Sequence, residues 1–151
     1  MKKLKRVPGV ALALFSVCSL AHENSEITGV WNCDYHNERI KIESVTLYNI
    51  NGQFISYGVT TFNIDDTIPL KFKVYLNGSW KLENDEIIGN NYVYNFESIN
   101  SQSEKWLPII ESEMYGEAGL RSGRYKILEL TADHMKTESQ DGELELCTRH
   151  L

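Results

Sequence analysis

ITGVWNCDYH, residues 27–36, places a tryptophan two positions before one of the three cysteines of the 151-residue chain. In an extended strand, successive side chains point to opposite faces, so Trp31, Cys33 and Tyr35 would share one face. Another cysteine, Cys147, lies in an alternating run at the far end of the chain. What Cys33 pairs with therefore decides how the two chain ends meet.

The first 21 residues have the anatomy of a secretory signal peptide. A basic start is followed by an apolar run from Val10 to Leu20 and by a small residue, Ala21. This run is too short to cross a bilayer as a helix, which takes about 20 residues, so no stable membrane insertion is expected. We predict a signal peptide over residues 1–21, a single β domain over 22–151 and a periplasmic location.

Cys18 raises the alternative of a lipid anchor. Its preceding residues, Phe15-Ser16-Val17, lack the small residue that lipoprotein processing requires beside the cysteine, which argues against the anchor. After cleavage, Cys33 and Cys147 remain. An oxidising compartment favours a single disulfide between them. The alternative is a two-cysteine metal site, although no histidine lies at ligand spacing from both cysteines.

Alternation of apolar and polar residues runs through most of the mature chain and predicts a mainly β fold. The turn signals are Asn51-Gly52, Asn77-Gly78, Asn84-Asp85 and Asp141-Gly142. We expect an antiparallel meander of eight to nine strands, closed as a small barrel or folded as a sandwich. Ile40 and Ile42 fall on one parity, whereas Val45 and Leu47 fall on the other, which predicts a bulge near Glu43-Ser44.

One segment, residues 103–119, has helical periodicity. Trp106, Ile110 and Met114 are four residues apart, and Pro108 suits a first helical turn. We therefore expect one short helical insertion between two groups of strands. It would either form an acidic lid or plug one barrel end with Trp106, Ile109 and Ile110.

The ends of the chain predict how a barrel would close. If the last strand pairs antiparallel with the first, opposed residues have a constant index sum, which a Cys33–Cys147 disulfide sets at 180. Trp31 then lies opposite Arg149, and Tyr35 lies opposite Glu145. A guanidinium over an indole contributes about 0.5–2 kcal/mol. The spacing thus predicts a barrel closed by a disulfide and by Arg149 packed on Trp31.

Two short motifs, one near each end of the chain, resemble those of a known protein superfamily. Gly29-Val30-Trp31 near the mature N-terminus and Cys147-Thr148-Arg149 near the end resemble the calycin superfamily, the lipocalins and intracellular fatty-acid-binding proteins. Those proteins place Gly-x-Trp on the first strand with a basic residue packed on it. The resemblance implies a barrel that carries a small amphipathic ligand, with Tyr35 and Arg149 as polar anchors. In the fatty-acid-binding members the arginine holds a ligand carboxylate together with a tyrosine two residues further on. This chain has Leu151 at the position of that tyrosine.

No catalytic motif occurs in the sequence. Nucleophile elbows, phosphate-binding loops, dinucleotide fingerprints and zinc or calcium motifs are missing. We therefore predict a protein that is not an enzyme and uses no cofactor or metal. The chain has 15 basic and 21 acidic residues, and loss of the four basic residues of the signal leaves a net charge of −10. This charge disfavours nucleic acid and favours a cationic partner.

The chain resembles the periplasmic immunity proteins that neutralise cell-wall hydrolases delivered by type VI secretion. The resemblance lies in its size, export signal, acidic charge and lack of catalytic motifs. We expect the protein to bind and inhibit a basic secreted or periplasmic protein, such as a peptidoglycan hydrolase. An aromatic anchor and steering charges would supply affinity and association rate. The contact candidates lie in the predicted insertion and are Glu104, Trp106, Glu111, Glu113 and Tyr115.

The alternative function is a lipocalin-like carrier or sensor of a small amphipathic ligand. It requires an apolar cavity, and it fails if Trp31, Phe72 and Trp80 fill the barrel. A tyrosine-rich strand, Asn91 to Phe96, offers an edge for a homodimer.

Overall fold

The structure, a computed structural model, describes residues 22–64, 68–115 and 121–150, so the predicted signal peptide and Cys18 lie outside the described residues. The elements are α1 Asn24–Ile27, β1 Gly29–His36, β2 Ile40–Tyr48, β3 Gln53–Phe62, β4 Leu70–Glu83, β5 Glu86–Ser98, α2 Ser101–Tyr115, β6 Ser122–Leu130, β7 His134–Ser139 and β8 Leu144–Arg149. Among the described residues, neither helix is long and apolar enough to span a membrane.

Each strand pairs antiparallel with the next, and β8 pairs with β1, so the eight strands form a closed barrel. This confirms the predicted fold class. Cys33 lies opposite Cys147, and their sulfurs form a disulfide. Trp31 lies opposite Arg149 in the same register, as the index sum of 180 predicts. The disulfide is consistent with export to an oxidising compartment.

Trp31 is fully buried where β1 begins. Its indole N–H donates a hydrogen bond of 2.7 Å to the carbonyl of Ile27, the last residue of α1. The Arg149 guanidinium carbon lies 4.1 Å from the centre of the indole ring. Arg149 also donates to the carbonyls of Thr28 at 2.8 Å and Glu26 at 2.7 Å. Arg149 therefore ties α1 and β8 together around Trp31.

The turn signals differ in outcome. Asn84 and Asp85 both have positive φ, 52° and 60°, which is the two-residue hairpin geometry that tight β-turns favour. The predicted turn at Asn77-Gly78 is wrong, because both residues lie inside β4. The register shifts there, so that Gly78 faces an extra residue on β5. A Cβ on Gly78 would lie 2.8 Å from the ring of Phe54, so this glycine allows close packing.

The predicted bulge near Glu43-Ser44 is also wrong. β2 pairs without a register shift with both β1 and β3. Ser44 and Thr46 point into the barrel, whereas Val45 is 42% exposed on the outside. The prediction failed because it assumed that the apolar residues of the strand face inward.

The predicted helical insertion is confirmed, but the helix begins earlier than predicted, at Ser101. Asn100 caps α2 through its side-chain oxygen, which accepts hydrogen bonds from the Ser103 backbone N–H at 2.8 Å and hydroxyl at 2.6 Å. The Ser103 hydroxyl oxygen accepts from the Lys71 N–H at 2.7 Å, which fixes the helix to the start of β4. Pro108 lies inside the helix and not in its first turn, because this cap sets the start at Ser101.

Candidate ligand-binding cavity

The barrel interior holds a cavity of about 460 Å³ that is partly open to solvent. Trp31, Phe72 and Trp80 are buried, yet they leave this volume open. Strands β2 to β8 and helix α2 all contribute to its wall. The wall is rich in aromatic side chains, namely Tyr48, Phe54, Phe62, Trp80, Tyr92, Tyr94, Phe96 and Tyr125.

Small side chains on β2 and β3 keep the interior open. The five are Ser44, Thr46, Ser56, Gly58 and Thr60, and all line the cavity. The Thr46 and Ser56 hydroxyls hydrogen-bond to each other at 2.8 Å across the two strands. A Cβ on Gly58 would lie only 2.4 Å from the Glu43 carbonyl oxygen, so a larger residue there requires the strands to move apart. One wall of the barrel is therefore built from side chains too small to fill it.

Glu145 brings a carboxylate to the cavity wall. It lies on β8 between Tyr35 of β1 and Thr137 of β7. The carboxylate and the two disulfide sulfurs all lie within 4.8 Å of one another. The sulfurs are bonded to each other, so this group does not form the two-cysteine metal site considered as an alternative.

No cation neutralises Glu145 within the described part of the chain. The ion pairs found there involve other carboxylates. Burial raises the pKa of Glu145 above its ordinary value of 4.5, the negative charge of Asp34 raises it further, and the neighbouring Thr137 hydroxyl offsets part of this rise. Thr137, which is 2% exposed, has a hydroxyl oxygen that accepts no hydrogen bond from the described residues. Two neighbouring polar groups therefore lack strong partners.

The tyrosines of the wall are neutral hydrogen-bonding groups. Burial raises the pKa of Tyr94 to about 12. Burial also raises the pKa of Tyr48, and the nearby charge of Glu145 adds to this effect. The pKa values of Tyr92 and Tyr125 are raised mainly by burial. Each phenol therefore keeps its proton at neutral pH and offers one donor and one acceptor.

Glu145→Gln is expected to raise the free energy of unfolding by about 1–3 kcal/mol at pH 7–8. A carboxyl whose folded pKa is raised stabilises the fold when protonated, and that contribution is lost as pH rises through the folded pKa. The advantage of glutamine should therefore vanish below pH 4.5, where the carboxyl is protonated in both states. Urea unfolding at a series of pH values measures this difference.

Glu129→Gln is the matched control, because it removes the same charge from an exposed position on β6. It should change stability little at any pH in the series. A Glu145→Gln variant whose stability runs parallel to the wild type from pH 4 to 8 would contradict the assignment of a buried, unpaired carboxylate.

The predicted ligand anchors, Tyr35 and Arg149, are not among the residues that line the cavity. The Tyr35 hydroxyl donates to the carboxylate of Glu143. Arg149 is occupied by Trp31 and backbone carbonyls, including that of Ala132 at 2.6 Å. The structure thus places these two residues where the barrel closes.

The predicted partner contacts all lie on α2, in two groups. At 100° per residue, Glu104, Glu111 and Tyr115 share one side of the helix, and Trp106 and Glu113 share the other. Glu113 lines the cavity together with Ile110 and Met114 of the same helix. The Tyr115 hydroxyl donates to the Tyr94 carbonyl, and 43% of the residue remains exposed.

Sequence reasoning missed Glu145 and Thr137 as site residues, although a signal for Glu145 was present. The same register that opposes Cys33 and Cys147 puts Glu145 on their inward face. A carboxylate on the inward face of a closing strand is unusual enough to indicate a site.

Comparison with solved structures finds four matching chains. One of them, an uncharacterized protein from Bacteroides eggerthii DSM 20697, is similar over 82% of this chain and 98% of its own, with 16% identity and a TM-score of 0.45. No protein family matches the chain, and no curated protein matches it. At this level of similarity the match carries no functional argument.

Proposed function

We propose that the protein binds a small, largely apolar molecule inside its barrel. The observation that carries this proposal is the unfilled interior of about 460 Å³, because small-molecule sites are typically clefts or cavities of about 300–1,000 Å³. Aromatic side chains with a few polar groups make up the wall, which is the usual composition of such sites. An eight-strand barrel is wide enough to be filled by its side chains or to hold one small ligand, and this one has only Ser44, Ser56 and Gly58 at three positions of its wall.

The calycin resemblance supports the same proposal, since Gly29-Val30-Trp31 and Cys147-Thr148-Arg149 resemble motifs of a superfamily of carriers. The structure argues for a different set of anchors, because Arg149 is engaged outside the cavity. The protein would thus be an exported, lipocalin-like carrier or sensor whose ligand meets the polar groups of the wall. Export through a signal peptide and a periplasmic location are part of this proposal.

Ser44→Phe is expected to weaken binding of the neutral fluorescent probe N-phenyl-1-naphthylamine by about tenfold or more, because the ring would occupy cavity volume. Ser44 lines the cavity, is half-buried and lies in regular β2 pairing. Fluorescence titration of wild type and variant measures the effect. Thermal unfolding of the variant should show little loss, because the new side chain fills open space.

Val45→Phe is the matched control, since Val45 is the next residue and points outward. It should bind the probe as the wild type does. Wild-type protein that does not bind the probe, or equal binding by Ser44→Phe and wild type, would count against a ligand inside the barrel.

Inhibition of a basic protein, such as a peptidoglycan hydrolase, is the second candidate. It is favoured by the exposed residues of α2, which include the carboxylates of Glu104 and Glu113 and the apolar Ile109 and Tyr115, 50% and 43% exposed. Carboxylates around exposed apolar residues suit a cationic partner. Such a surface does not depend on the cavity, so salt-sensitive capture of one basic protein, unchanged by Ser44→Phe, would favour the inhibitor.

A further inference from the structure

We propose that the ligand is a cationic amphiphile, a molecule with an apolar body and one protonated amine, and that the Glu145 carboxylate binds the ammonium group. This inference rests on the proposed function, because it names the chemical class of the molecule in the cavity. The calycin resemblance implies a positively charged anchor, Arg149, whereas the wall of this barrel carries the negatively charged Glu145.

The first argument is the missing partner of Glu145. Carboxylates are almost never buried in proteins unless they are paired with a cation or bind a metal. Glu145 is half-buried, lines the cavity and has no salt bridge among the described residues; its polar neighbour is the uncharged Thr137 hydroxyl. An ammonium group in the cavity would supply the missing cation.

The second argument is Thr137, which lies directly opposite Glu145 in the β7–β8 register and also lines the cavity. Thr137 is 2% exposed, and its hydroxyl oxygen accepts no hydrogen bond from the described part of the chain. A buried acceptor left without a donor costs about 1–3 kcal/mol. An ammonium group has three donors and no acceptor, so it suits a carboxylate and an unused hydroxyl oxygen side by side.

The third argument is the character of the remaining wall. The described lining contains no lysine, arginine or histidine, and its other charged residue is Glu113 of α2, which is exposed to solvent. Tyr48 and Tyr125 lie close enough to Glu145 for its charge to raise the pKa of both phenols. Aromatic faces attract cations, whereas a carboxylate ligand would meet two negative charges and no positive one.

The test compares three ligands with the same ten-carbon chain and different head groups, namely n-decylamine, 1-decanol and decanoate. Displacement of N-phenyl-1-naphthylamine by each ligand is measured with wild-type protein at pH 7.5, at ligand concentrations too low for micelles to form. Calorimetry provides a second measurement of affinity. We expect the amine to bind about tenfold or more tightly than the alcohol, because charged hydrogen bonds are the stronger ones. Decanoate should bind most weakly.

Glu145→Gln should reduce decylamine affinity to about that of decanol and leave decanol affinity unchanged, which also shows that the barrel is intact. Glu129→Gln removes the same charge at an exposed site on β6 and should keep the amine preference. Equal binding of amine and alcohol by the wild type, or an amine preference that survives Glu145→Gln, would overturn the inference and leave the proposed function standing. Failure of the probe and all three ligands to bind would overturn both.

Discussion

Replacing both bridging cysteines, Cys33→Ala together with Cys147→Ala, is expected to lower the free energy of unfolding by about 2–5 kcal/mol. The disulfide joins residues 114 positions apart, so it restricts most of the 151-residue chain in the unfolded state. Loop-closure entropy for a loop of this length gives a value near the upper end of the range. Both sulfurs are buried, with each cysteine 2% exposed, so alanine preserves the apolar surroundings.

Urea unfolding with and without a thiol reductant measures this effect. Reductant should shift the midpoint of the wild type towards that of the double variant and leave the variant unchanged. A wild-type midpoint that is insensitive to complete reduction, with thiol release confirmed by titration, would show that the disulfide adds nothing to the closed barrel.

Trp31→Ala is expected to cost about 3–5 kcal/mol of folding free energy, as for other fully buried aromatic residues. The substitution leaves a cavity at the start of β1 and removes the hydrogen bond to the Ile27 carbonyl. It also takes away the ring under the Arg149 guanidinium. Chemical unfolding monitored by far-ultraviolet circular dichroism measures the loss.

Trp106→Ala is the matched control, because Trp106 is the same residue type but only half-buried on α2. It should lower the free energy of unfolding clearly less than Trp31→Ala does. Trp31→Phe should fall between the two, since it keeps a ring for Arg149 and loses the indole N–H. Equal losses for Trp31→Ala and Trp106→Ala would contradict the role of Trp31 in closing the barrel.

Closure of the barrel was predictable because two cysteines determine a register. Once Cys33 opposes Cys147, pairing geometry places Trp31 opposite Arg149, and no tertiary information is needed. The two-residue turn at Asn84-Asp85 was predictable for a similar reason, because its backbone conformation favours those residue types.

The cavity was not predictable, because alternation alone does not say which face of a strand is the inner one. In most barrels the apolar face is inside, and β2 breaks that rule by pointing Ser44 and Thr46 inward. At Asn77-Gly78 the local turn signal was overridden by long-range packing. A bulge and the nearby Phe54 ring require a glycine at position 78 inside a strand. The start of α2 depends on contacts of Asn100 with Pro69 and of Ser103 with Lys71, at the distant start of β4.

The pairing of β1 with β8 also has a consequence for folding speed. Seven of the strand pairings join neighbours along the chain, whereas this one joins its two ends. Such non-local pairing slows folding to the millisecond-to-second range in β proteins. Until it forms, β1 and β8 expose unpaired edges that invite association with other chains. A disulfide formed early between Cys33 and Cys147 would hold these edges together and shorten the time for which the open sheet is vulnerable.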